Sequence, residues 1–186
     1  TIIIGGPKGL GKNTFLLKLA KFILCNLELT KEIDLDFFDL NKFDFDTLKK
    51  TKSFHLFNNN SHPDFFYLND EEKKLEKTIP IENVRKFKNF FYKTDSISRV
   101  KIGIIDTIEN LSINSQNLLL KTIEELTENS YLFIISNDPV NILETIKSRC
   151  AFFYVNSLCK SDFNKFICDK YKDKSKEELQ FVKNIS

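Results

Sequence analysis

A three-layer α/β domain, with helices on both faces of a mostly parallel five-stranded sheet, is the fold this sequence predicts. Three observations predict it. Short apolar runs alternate with amphipathic segments of helical length. The opening stretch, TIIIGGPKGLGKNTF, reads as a strand, a glycine-rich turn and the start of a helix. A later apolar run, KIGIID, ends in a carboxylate, Asp106.

Each element has its own signal. Thr1 to Ile4 is apolar and runs into Gly5, as a buried parallel strand does. From Asn13 to about Leu27, Phe15, Leu16, Leu19, Ala20, Ile23 and Leu24 recur at helical spacing. Residues 30 to 60 read as a helix and then a loop ending in NNNSHPD. FFYL (Phe65 to Leu68) is a second strand, and the charged NDEEKKLEKT after it is a surface excursion. IPIENVRKFKNFFYK begins with Pro80 near its N-terminus and places Ile81, Val84, Phe87 and Phe91 on one helical face. RVKIGIID is a buried strand, and Asn114 to Leu126 is a helix with Leu118, Leu119, Thr122 and Ile123 inward. YLFIIS is the fourth strand, NILETIKSRC a short helical turn, and AFFYV the last strand. SLCKSDFNKFICDKY opens a new helical segment.

The bulk composition narrows the function classes. A chain of 186 residues has room for one full domain and part of a second. It is 41% hydrophobic and 29% charged, the balance of an ordinary globular protein. The net charge of +2 selects no nucleic-acid surface. No apolar run approaches the roughly 20 residues that span a bilayer, so no membrane role is expected. Four cysteines stand at spacings unlike those of zinc ligands, which suits reduced thiols in a cytoplasmic protein with no metal site. His62 in SHPD suits a turn better than catalysis. The lack of Met, a start inside a strand and an end inside a charged segment suggest a piece of a longer protein.

The chemistry concentrates in four places. Gly6, Pro7, Gly9, Gly11 and Lys12 satisfy G-x-x-x-x-G-K, short of the final Ser or Thr. Such a loop turns its N–H groups inward beneath the positive end of a helix, and Lys12 neutralises the outer phosphates of a triphosphate. Asn13 replaces the hydroxyl that normally coordinates magnesium, and Thr14 comes one position late. Asp106 is the strand-end carboxylate of a Walker B element. The next position, which needs an acid to activate water, is Thr107 instead. Glu109 stands two positions further and is expected to point elsewhere. In FIISNDP, Asn137 is the better candidate for a γ-phosphate or water contact and Ser136 the second. Arg149, just before the last strand, serves either a salt bridge in its own chain or a nucleotide held by a neighbour.

Taken together, GPKGLGK, HPDFFYL, IPIENVRKFKNFF, RVKIGIIDTIENLSINSQNLLLKTIEE, LFIISNDP and ILETIKSRC resemble, in this order, the delta-prime subunits of the bacterial DNA polymerase III clamp loader, which are AAA+ proteins. The resemblance runs from about Ile2 to Leu158. It implies an AAA+ P-loop domain over residues 1–156 and the start of a small helical lid over 157–186, without the C-terminal collar. It implies a ring shared with delta and tau/gamma subunits that loads a sliding clamp onto primed DNA. It also implies that Ser148, Arg149 and Cys150 form the motif whose arginine enters a neighbour's ATP site in trans. Family members often carry a four-cysteine zinc module before the second strand. Here that region has only Cys25, so no zinc is expected. ATP, if held, is expected to be held weakly at Gly6, Pro7, Gly9, Gly11, Lys12, Asn13, Thr14, Asp106 and Asn137, with magnesium only alongside nucleotide. The departures at Asn13 and Thr107 both predict negligible hydrolysis. The alternatives are an active tau/gamma-type ATPase and an unrelated P-loop kinase. The kinase would leave the Ser-Arg-Cys motif unexplained.

Overall fold

The computed structural model describes residues 1–30, 48–69, 78–94 and 97–157. The readings made for residues 31–47, for most of the charged excursion and for the helical segment after Ser157 lie outside them. The chain divides into two compact units, Thr1–Val155 and Asn156–Ser186. The sheet and the helices that cover it belong to the first unit.

Its elements are β1 (Ile2–Gly5), α1 (Lys12–Thr30), α2 (Lys52–Asn58), β2 (Phe65–Asn69), α3 (Ile81–Phe91), β3 (Lys101–Asp106), α4 (Ile113–Glu125), β4 (Ser130–Ser136), α5 (Glu144–Lys147) and β5 (Ala151–Tyr154). Short 3₁₀ turns at Ile108–Asn110 and Pro139–Asn141 follow β3 and β4. The five strands form one sheet in the order β2-β3-β4-β1-β5, and every pairing is parallel. Parallel strands covered on both faces read as continuous apolar runs, which is why the sequence marks them clearly.

Side chains alternate across the sheet. Ile4, Ile102, Ile104, Phe133 and Ile135 face a core filled by Leu16, Ala20, Ile23 and Leu24 of α1. Ile3, Ile105, Leu132 and Ile134 face the opposite core, with Val84, Phe87, Phe90 and Phe91 of α3 and Leu119 and Ile123 of α4. Gly103 lies under α3. A Cβ there would stand 2.6 Å from Phe91 Cζ and 2.7 Å from Phe87 Cζ, so the missing side chain lets both rings lie against β3. The buried Lys101 caps the end of α3, its ammonium donating to Phe90 O at 2.8 Å and to Lys93 O. Ser112 and Thr51 cap α4 and α2, accepting from Ser115 N and Phe54 N.

Two residues of the predicted helical patterns are more exposed than a core-facing stripe implies. Phe15 is 47% exposed on α1, and Ile81, the first residue of α3, is 37% exposed. Leu118 faces inward as read, partly buried against the core. Helical periodicity sets an apolar stripe but does not say where the sheet beneath it ends. Phe90, outside the predicted stripe, is buried through ring contacts with Phe66 and Phe91.

The His62 turn is structural. Asp64 N donates to His62 Nδ1 at 3.1 Å, while the Asp64 carboxylate accepts from Ile97 N and Ser98 N. Burial lowers the His62 pKa, with Asp64 and Glu28 opposing the shift. Nδ1 is committed as an acceptor, so the ring is not arranged to activate Ser98.

Candidate functional site

The strand order places the motif residues together. β1, which feeds the glycine loop, is flanked by β4, and β4 is flanked by β3. In a parallel sheet the carboxyl ends lie on one edge, so the loop, Asp106 and the Ser136–Asn137 turn converge there. A cleft of about 600 Å³ lies at this edge, lined by Lys12, Asn13, Asn69, Asp106, Glu109 and Asn137, among others. That volume suits a small ligand. A larger hollow of about 790 Å³, lined by Tyr92, Arg99 and Glu125 among others, contains none of the motif residues.

The loop has the backbone of a phosphate cradle. Gly9 and Gly11 have φ of 93° and 78°, with open space where a Cβ would stand. Gly6 has φ of 145°, and a Cβ there would meet Val155 O at 2.3 Å, so β5 closes directly against the loop's first turn. The loop ends at the N-terminus of a helix of 19 residues. Thr14 is exposed and does not line the cleft.

Lys12 is buried and turned back on the loop. Its ammonium donates to Gly6 O at 2.6 Å, Pro7 O at 2.8 Å and Asn137 Oδ1 at 3.0 Å. Those contacts use its three protons. Burial lowers its pKa, and the charges of Glu109 and Asp106 oppose the shift.

Glu109 corrects the sequence reading. The 3₁₀ turn after β3 brings it back to the cleft instead of away from it. Its Oε1 accepts from Ser136 Oγ at 2.5 Å, Asn137 N at 2.9 Å and Asp138 N at 3.0 Å. One carboxylate oxygen thus holds the end of β4 in place and orients Asn137 toward Lys12. Ser136, fully buried, is committed to Glu109 and does not face a ligand.

Tyr67 of β2 is the residue that sequence reasoning missed. Its hydroxyl donates to Asp106 Oδ2 at 2.5 Å and accepts from Asn13 Nδ2 at 2.7 Å. Burial raises its pKa well above the usual phenol range, and Asp106 adds to the shift. The only signal was a lone phenol in an apolar strand, which reads equally well as core.

Magnesium–nucleotide chemistry therefore meets a divided site. The loop, the helix end and Lys12 fit phosphates once the Lys12 contacts are exchanged. Residues 13 and 106 do not fit a bridging cation, because Tyr67 already joins them. Asn13 Oδ1, Asn69 Oδ1 and Glu109 Oε2 are buried without a hydrogen-bond partner. Thr107 is buried and offers no acid.

Arg149 lies at the other end of the sheet. Ala151 pairs with Ile2 and Tyr154 with Gly5, so Arg149 precedes the start of β5 while the loop lies beyond its end. From Ala151 to Tyr154 the strand alone runs about 10 Å at roughly 3.3 Å per residue. Arg149 is exposed, and its Nε donates to Glu124 Oε1 at 2.5 Å and Nη1 to Thr145 O at 2.9 Å. Cys150 is a free, half-buried thiol.

Among the described residues no helix is long and apolar enough to cross a membrane.

Comparison with known proteins sets this site in context. The profile of the family described as "DNA polymerase III, delta subunit" matches residues 1–158. The DNA polymerase III subunit delta' of Pseudomonas aeruginosa is 30% identical over 149 residues, covering 80% of this chain and 40% of that protein. The DNA polymerase III subunit gamma of Buchnera aphidicola subsp. Schizaphis graminum is 27% identical over 179 residues, covering 89% of this chain and 40% of that protein. The chain thus spans about 40% of the length of these curated relatives. A crystal structure of a DNA polymerase III gamma subunit-related protein from Thermotoga maritima shares the fold. Its TM-score is 0.57 at 19% identity, over 90% of this chain and 45% of that one.

Proposed function

The chain belongs to the DNA polymerase III clamp-loader family of delta-prime and gamma subunits, and from that premise we propose that it acts in DNA replication as a delta-prime-like ring subunit. Its own phosphate loop does not hydrolyse ATP, and its Arg149 enters the ATP site of an adjacent tau/gamma subunit. It works in the cytoplasm with delta and tau/gamma subunits, and through the assembled ring with the sliding clamp and primed DNA.

The observation that carries this reading is the placement of Arg149. The residue stands at the sheet end opposite its own cleft, so any phosphate it serves belongs to another chain. Its intramolecular partner is weak by nature. Arg149 and Glu124 are 41% and 50% exposed, and exposed ion pairs are worth about 0–1 kcal/mol. A neighbour's γ-phosphate offers the guanidinium a stronger partner and gains from it charge stabilisation as the phosphoryl group departs. Asn13, Thr107 and the Tyr67 bridge support the second half of the reading, a site without the hydroxyl that coordinates magnesium and without an acid directly after Asp106.

A second reading is an active ATPase of the tau/gamma type. Glu109 favours it, since it lines the cleft with Oε2 unpartnered. Steady-state phosphate release from the purified full-length protein separates the two. Negligible turnover is expected, and a rate near one per second contradicts the delta-prime reading.

A further inference from the structure

Two cleft residues that a divalent cation would bridge are instead joined by one phenol. Tyr67 stands two positions before the end of β2, with Tyr67 opposite Ile104 and Asn69 opposite Asp106. Its side chain packs against the same core as α1. From there the hydroxyl reaches both the first turn of α1 and the end of β3. A phenol has a single proton, and Tyr67 spends it on Asp106 Oδ2 while its oxygen takes the Asn13 amide hydrogen. The hydrogen bonds run in one direction, from Asn13 through Tyr67 to Asp106.

We propose that Tyr67 takes the place of a divalent cation in this cleft, so that a nucleoside polyphosphate binds to the glycine loop and Lys12 without one. The proposal rests on the reading of the cleft as a non-hydrolysing site. A bridging cation needs oxygen ligands from both sides and takes the positive position between them. Here position 13 presents an N–H toward Asp106's partner, and one carboxylate oxygen already accepts the Tyr67 proton. The half-buried tyrosine ring packs against the core beneath α1, which holds its hydroxyl between the two residues. The phosphate half of the cleft stays serviceable, since Gly9, Gly11 and Lys12 make no hydrogen bond to Tyr67.

The test is ATP binding to the full-length protein by calorimetry, with magnesium and with EDTA, and phosphate release measured in the same samples. The expected result is an affinity in EDTA equal to or tighter than that in magnesium. Binding weaker in EDTA by about tenfold or more, or no binding under either condition, overturns the proposal. In the former case Asn13 Oδ1, Asn69 Oδ1 and Glu109 Oε2 become the cation's ligands. Tyr67→Phe, checked for folding by its melting curve, frees Asn13 and Asp106 and is expected to bind ATP about fivefold or more tighter with magnesium than without. A folded variant that stays indifferent to magnesium removes Tyr67 from the role. Should the variant not fold, the wild-type comparison decides alone. Phosphate turnover would instead contradict the non-hydrolysing reading, a different outcome from magnesium-dependent binding without turnover.

Discussion

The Glu109 carboxylate ties the end of β4 to the turn after β3, so its removal should destabilise the fold. Its Oε1 gathers three donors, Ser136 Oγ, Asn137 N and Asp138 N. In Glu109→Ala they fare differently. Asp138 is exposed, so water replaces its partner at little cost. Ser136 is fully buried and Asn137 half-buried, and buried donors left unpaired cost about 1–3 kcal/mol each. Lys12 also loses its leading opposite charge, while removal of a partly desolvated carboxylate returns some of that free energy. A net loss of about 2–3 kcal/mol results. For a chain of this size that is a Tm lower by roughly 4–12 °C. Glu109→Gln keeps an acceptor at Oε1 but not the charge, and loses about 1 kcal/mol. Thermal and urea unfolding of the three proteins should therefore rank wild type, Gln, then Ala. A Tm within about 1 °C of wild type for the alanine variant, or the reverse ranking, refutes the claim that Glu109 holds the end of β4.

The fold sets two further outcomes. Gly103→Ala forces its Cβ against Phe87 and Phe91 and should cost about 1–3 kcal/mol in urea unfolding, with an unchanged midpoint counting against the packing described. His62 has its folded pKa lowered, so the unfolded state binds its proton first as pH falls. Its contribution is present above the ordinary value near 6.5 and is lost as pH drops from there toward the folded value. The expected slope is at most about 1.4 kcal/mol per pH unit, read as a Tm that falls between pH 7 and 5. It should flatten in His62→Gln, and identical pH profiles would contradict it.

The legible parts of this molecule are those with local causes. β3 and β4 are continuous apolar runs because both sheet faces are covered, and the glycine loop is marked by conformations that other residues rarely adopt. Register and turns decide the rest. Tyr67 matters because parallel pairing carries β2 alongside β3 to Asp106, a long-range fact absent from FFYL itself. Simple spacing from Asp106 sends Glu109 the wrong way, because the 3₁₀ turn after β3 reverses the path of the chain. Phe15 and Ile81 match helical periodicity yet are exposed. Arg149 has two roles open in the sequence, and only the strand pairing places it away from its own cleft.

Arg149→Ala in the full-length protein, reconstituted with delta and tau/gamma subunits, probes the proposed role of this arginine in a neighbour's ATP site. Circular dichroism should find the variant as stable as wild type to within about 1–2 kcal/mol, since an exposed ion pair and the hydrogen bond to Thr145 O are lost. DNA-stimulated ATP hydrolysis by the complex should fall by the share of the one site it serves, because an arginine finger is worth about 10³–10⁵ there while the other sites continue. Unchanged hydrolysis by a normally assembled complex would contradict a trans role for Arg149 and leave it with Glu124 and Thr145 of its own chain.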